Sequence, residues 1–120
     1  DALVAPVSIC ALISSPSSKT TIFTVPPRQV GNWTLLYALN GTSSAKNFNC
    51  WWYDTSANTE VYITHNYPIT AAGFLRIDGQ AYVVLEEGDE IRAQIETGAT
   101  NASCIVTLEL TTQLAVIKQT

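Results

Sequence analysis

His65 is the only histidine of the chain, and Cys10, Cys50 and Cys104 are its only thiols. A serine-type triad needs a histidine beside a nucleophile and an acid to orient it. His65 lies in a loop-like segment, "HNYPIT", and no G-x-S-x-G turn occurs anywhere. Glycine loops that cradle phosphate are absent too. His65 therefore reads as a surface or interface residue. The cysteines show no C-x-x-C spacing, and with a single histidine they do not make an ordinary zinc site. Their odd number argues against a closed disulfide framework, so they are expected as small buried hydrophobes. The acidic corner Glu86, Glu87, Asp89 and Glu90 has the carboxylates for a hard cation, but not in the order of an EF-hand loop. It reads as a solvated turn between strands, with Gly88 where the backbone needs an unusual φ. A paired-carboxylate glycosidase would need a cleft, and this corner reads as convex. The expectation is a chain with no catalytic residue, no metal and no cofactor, hence not an enzyme.

The richest remaining stretch is "NFNCWWYD", Asn47 to Asp54. Successive side chains of a strand point to opposite faces, so Trp51 and Trp52 cannot share one core. Phe48, Cys50, Trp52 and Asp54 form the more apolar row and are assigned inward. Asn47, Asn49, Trp51 and Tyr53 then point outward. An outward Trp51 and Tyr53 suit a protein interface, where such rings are enriched. Cover by the chain's own loops and stacking on a sugar ring are the other two readings. Three N-x-S/T sequons, at Asn32, Asn40 and Asn101, are what a Ser/Thr-rich composition yields by chance.

The elements that must carry these residues are strands. Thr, Val, Ile, Tyr and Trp are abundant, no window keeps a helical apolar spacing, and turn signals recur about every ten residues. Leu3, Ala5, Val7, Ile9, Ala11 and Ile13 make one apolar row, so the start of the chain reads as a first strand rather than a signal peptide. "TTIFTV" ends at Pro26-Pro27. "NWTLLYAL" follows, with Trp33, Leu35, Tyr37 and Leu39 on one face, and Asn40-Gly41 signals a hairpin. Then come Lys46 to Tyr53, a short "TEVYIT", the irregular "HNYPIT", "AAGFLRI", a turn at Asp78-Gly79, "AYVVL", "IRAQIET", "CIVTLELT" and "QLAVIK". These make nine to ten strands of an all-β, antiparallel two-sheet sandwich of jelly-roll type, one domain over 1–120.

Composition narrows the partners. Charged residues make up 13% of the chain, against about 25% in an ordinary soluble domain. Lys19, Arg28, Lys46, Arg76, Arg92 and Lys118 are scattered and the net charge is −4, which excludes a phosphate-binding stripe and hence nucleic acid. No apolar run reaches the length of a membrane-spanning helix, so no membrane partner is expected.

"TIFTVPPRQVGNWTLLYALNGTSSAKNFNCWWYD" and "YVVLEEGDEIRAQIETGATNASCIVTLEL" resemble small β-sandwich proteins of tailed-bacteriophage virions, over about Thr20 to Leu110. The Leu85-x-x-Gly88-Asp89-x-Ile91 corner is also similar to that of tumour-necrosis-factor-like and complement-C1q-like jelly rolls. There Leu85 and Ile91 would anchor two strands, while Gly88 and Asp89 form the structural turn, Asp89 bonding backbone N–H groups. The resemblance implies a virion protein that decorates or cements the capsid, or builds the head–tail or tail apparatus. It would assemble as a homo-oligomer, a trimer for instance, and bind other virion proteins. The alternative is a lectin-like module that binds carbohydrate or a receptor.

Overall fold

The computed structural model describes residues 4–13 and 18–112, with the backbone alone for Val4 and residues 79–82. The described residues form eight strands: β1 Val4–Leu12, β2 Thr20–Thr24, β3 Gln29–Leu39, β4 Lys46–Asp54, β5 Thr59–Ile69, β6 Phe74–Leu85, β7 Glu90–Ile95 and β8 Ser103–Thr112. Sheet A has the order β1-β8-β3-β6 and sheet B the order β2-β7-β4-β5. First pairs with last, second with seventh, third with sixth, and fourth with fifth. This is one long antiparallel hairpin, folded at the β4–β5 turn and rolled into two sheets. It is the jelly-roll topology expected from the sequence.

Alternation fills the space between the sheets. Ile91, Ala93 and Ile95 of β7 point inward, as do Cys104, Val106 and Leu108 of β8, and all six are buried. Phe48 and Cys50 meet them from β4, and Ile13, just past the end of β1, closes one edge. Each large side chain so buried contributes about 1.5–3 kcal/mol relative to exposure. Burial pushes the Cys104 thiol up to about 12. Burial, then the neighbouring Cys104, pushes Cys50 well above the ordinary thiol value. Cys10 departs from expectation. It faces outward on the edge strand β1 and is exposed, because Ile9 and Ala11 take the inward row.

Bulges account for the other departures. The expected row Trp33, Leu35, Tyr37 and Leu39 does not hold together. The register shifts between Trp33 and Leu35 against both neighbours of β3. Trp33 is therefore buried, but beyond the bulge Leu36 and Ala38 turn inward while Leu35, Tyr37 and Leu39 turn out. One surplus residue exchanges the two faces of a strand. "TEVYIT" and "HNYPIT" are one continuous strand, β5, bulged against β4. Asp78-Gly79 does not end a strand either. Trp33 pairs with Val83 and Leu35 with Asp78, so β6 runs through and carries its surplus residues as an irregularity. Nor does Asn40-Gly41 make a hairpin, since β3 lies in sheet A and β4 in sheet B. The expected strand "QLAVIK" lies outside the described residues, as does Leu3.

Candidate functional site

The β6–β7 corner is built around Asp89, which is 2% exposed. Gly88, at φ 86°, reverses the chain. Asp89 Oδ2 then accepts from Glu86 N at 3.0 Å and Trp52 Nε1 at 3.2 Å, and Oδ1 accepts from Thr55 N at 3.0 Å. Val25 N donates to Asp89 O, and Gly88 N to Val25 O. The carboxylate thus ties the ends of β4 and β6 to the start of β7, and the backbone of Gly88 and Asp89 adds the end of β2. The neighbouring acids are also engaged: Glu87 accepts from Arg28 N, and Glu90 from Thr21 and Arg92. The corner is a structural joint, with Leu85 and Ile91 fully buried on either side.

Trp51 and Tyr53 lie on the outer face of sheet B, opposite Arg92 and Glu90 of β7 and Tyr62 and Glu60 of β5. Trp51 is nevertheless only 5% exposed. Lys19 Nζ sits 4.3 Å from its ring centre, and the Tyr62 ring lies 5.3 Å away. Arg92 stacks on Tyr53 at 4.2 Å, and the Tyr53 hydroxyl donates to Asn58 Oδ1. The two cations are held over the rings by carboxylates: Lys19 and Arg92 both reach Glu60, at 2.7 and 2.8 Å, and Arg92 also reaches Glu90. The chain's own side chains therefore cover Trp51, and the exposed ring of this row is Tyr62.

This network has a pH signature. Partial burial works against the charge of Glu60, but hydrogen bonds from Lys19 and Arg92 outweigh it and hold the carboxyl below its ordinary value of 4.5. A carboxyl depressed in the folded state stabilises fully above the unfolded value and loses that contribution as pH falls through the folded one. Glu60→Gln is therefore expected to flatten the fall of Tm below about pH 4.5, with a small effect at neutral pH, of about 1 kcal/mol or less. Thermal melts of both proteins across that range check it. An unchanged acid limb would remove Glu60 from the account.

Next to the ring row, Asn47, Asn49, Asn66, Gln94, Glu96 and Thr97 line a cleft of about 230 Å³. The β5 bulge makes it. Phe48 pairs with Tyr67 and Cys50 with Thr64, so His65 and Asn66 together oppose Asn49. Asn66 takes φ 51°, and its N–H donates to Asn49 Oδ1 at 2.7 Å. His65 lies 4.2 Å from Tyr62, ring to ring, and its Nε2 is 3.4 Å from Asn66 Nδ2.

The outer face of sheet A has a different character. Register places Leu12, Ser103, Leu39 and Phe74 in one row across the four strands, with Cys10, Ile105, Tyr37 and Arg76 in the next. Leu12 is 74% and Phe74 59% exposed. Phe74 stacks on Tyr37 at 5.3 Å. Sequence reasoning missed this face because the β3 bulge creates it, turning Leu35, Tyr37 and Leu39 outward. It left Asn66 without a role because "HNYPIT" reads as a loop, and it gave none to Tyr62 of the short strand "TEVYIT"; His65 is at the surface, as expected.

No protein-family model and no curated protein matches the chain. Solved structures match its fold. A chain of infectious bursal disease virus strain Gx superposes with a TM-score of 0.59 at 7% identity, over 94% of this chain and 33% of the viral one. A chain of the infectious bursal disease virus VP2 subviral particle gives 0.55 at 8% identity, over 93% and 33%. A chain from the VLP of the extra small virus of the giant freshwater prawn Macrobrachium rosenbergii gives 0.54 at 11% identity, over 92% and 79%. The chain therefore spans about a third of the bursal disease virus proteins and most of the prawn virus protein. What it shares with these chains of viral particles is the jelly-roll sandwich itself.

Proposed function

We propose that this chain is a structural protein of a virus particle, working by self-association and not by catalysis. The observation that carries the reading is the jelly-roll strand order, matched over more than nine-tenths of the chain by proteins of viral particles. In the finer form, supported by the sequence resemblance, it belongs to a tailed-phage virion. There it forms a homo-oligomer that decorates or cements the capsid, or serves in the head–tail or tail apparatus, beside other virion proteins.

The surface that fits self-association is the outer face of sheet A. A second copy of this chain could cover Leu12, Leu39, Tyr37 and Phe74 and extend the pairing along the edge strands β1 and β6. A stable interface of this kind buries about 1,200–2,000 Å² in total. Sedimentation velocity on the purified chain is expected to show a stable homo-oligomer. Phe74→Asp and Leu12→Asp, which place charge on exposed positions, are expected to weaken it at least about tenfold and leave the melting curve close to the parent's. A monomer at all working concentrations would refute the reading.

A further inference from the structure

We infer that the amide-lined cleft of sheet B is a binding site for a neutral carbohydrate. The chemistry of its lining selects the ligand class. Asn47, Asn49, Asn66 and Gln94 bring carboxamides to the lining, groups that both donate and accept, as vicinal sugar hydroxyls do; Asn49 Nδ2 donates to Asn66 Oδ1 at 3.4 Å, which leaves each of these two amides part of its capacity. Lys46 Nζ is engaged at the rim, donating to Thr97 O, and the lining residues themselves carry no cation that would hold a phosphate or carboxylate. Glu96 accepts from Asn47 N at 2.9 Å, so this carboxylate is tied to the backbone at the rim. The volume of about 230 Å³ falls below the roughly 300–1,000 Å³ of pockets for drug-sized ligands and suits a single sugar residue.

Three further features favour a built site over a surface dimple. The cleft owes its shape to the His65–Asn66 bulge, a device that re-aims side chains. Asn66 holds a left-handed conformation, which asparagine adopts more readily than other side-chain-bearing residues, and the Asn49 carboxamide fixes it there. The aromatic surface that pyranose rings pack against stands alongside. Trp51, Tyr62 and His65 form a continuous row of rings, Tyr62 is 51% exposed, and His65 touches Asn66 at the cleft. In the bound state the amides take the hydroxyls, and the apolar face of the sugar rests on the Tyr62–His65 pair. The site lies on the sheet opposite the proposed association face, so the two functions are separately testable.

The test is a titration of the full chain with the methyl glycosides of glucose, galactose, mannose and N-acetylglucosamine. It is followed by calorimetry and by tryptophan fluorescence, since Trp51 packs on Tyr62. At least one glycoside is expected to bind saturably, with Kd near about 1 mM. Asn66→Gly keeps the backbone conformation and deletes the carboxamide. It is expected to weaken binding at least about tenfold with the fold intact by circular dichroism, and Tyr62→Ala to do the same. No saturable binding of any of the four at about 20 mM overturns the inference. Binding that survives both substitutions overturns it equally, because the sugar then sits elsewhere. Neither outcome bears on the sedimentation result.

Discussion

Asp89→Ala is expected to destabilise the fold by about 3 kcal/mol or more, by removing the acceptor of three N–H donors at once. The Glu86 and Thr55 amides and the Trp52 indole all end on this one carboxylate, at 3.0, 3.0 and 3.2 Å. The side chain is 2% exposed, so water cannot readily replace it. Each donor left without a partner costs about 1–3 kcal/mol, and the corner's relaxation recovers part of the sum. For a domain of this size the loss lowers Tm by roughly 10 °C. Asp89→Asn keeps one acceptor oxygen but turns an N–H₂ toward donors that already point inward, so it is expected to fall between parent and alanine variant. Urea titrations followed by tryptophan fluorescence give the numbers. A loss below about 1 kcal/mol for Asp89→Ala would show that the three bonds are dispensable and that the joint depends on Leu85 and Ile91 alone.

The same residue marks how far the sequence could be read. Leu85-x-x-Gly88-Asp89-x-Ile91 is a local motif. Its glycine, its acid and its flanking apolar anchors all act within seven consecutive residues, and each is where the pattern puts it. Strand alternation was equally legible wherever the ladder is regular, as along β7, β8 and the start of β4, where Phe48 and Cys50 point in. It failed at bulges. A bulge is one surplus residue whose position depends on the partner strand, and no local signal in "NWTLL" or "THNYP" fixes it. Two consequences followed. The apolar side chains expected in the core from β3 stand partly on the outer face of sheet A. Asn66 beside His65, which looked like loop, stands on a strand and lines a cleft. Trp51 illustrates a different limit. Alternation gave its direction, but its cover comes from Lys19 and Tyr62, which are distant in sequence. Whether an outward ring is bare depends on tertiary neighbours.

Asn40 is where the local reading and the fold disagree most, and its substitution by aspartate is expected to cost at least as much as Asp89→Ala. Asn40-Gly41 suggested a tight hairpin turn, and the "NGT" sequon read as chance composition. The side chain is instead fully buried where β3 leaves sheet A for sheet B. Its Nδ2 donates to the carbonyls of Ser44, Ile69 and Thr70 at 2.9, 3.0 and 3.2 Å, and its Oδ1 accepts from Thr42 N at 2.9 Å. The loops before β4 and β6 are thereby fastened to one amide. Gly41 must follow, because a Cβ there would lie 2.6 Å from the Cβ of Asn101 and 2.8 Å from its carbonyl. Asn40→Asp is nearly isosteric, yet it sets a carboxylate oxygen against three carbonyl oxygens with no donor to spare. A buried charge left without a partner costs about 3–5 kcal/mol, a large share of the stability of a domain this size. Asn40→Ala loses the same bonds without adding charge and is expected to cost less, about 2–3 kcal/mol. The charge can also be isolated by pH. Desolvation and the three carbonyls raise the carboxyl's folded value above its unfolded one, so the penalty is complete well above that folded value. It shrinks as the pH falls through the folded value and the acid becomes protonated. The gap between Asn40→Asp and Asn40→Ala, measured by urea titration at several pH values, should therefore narrow toward acid. A gap that is constant with pH would mean that shape, and not charge, decides at this position.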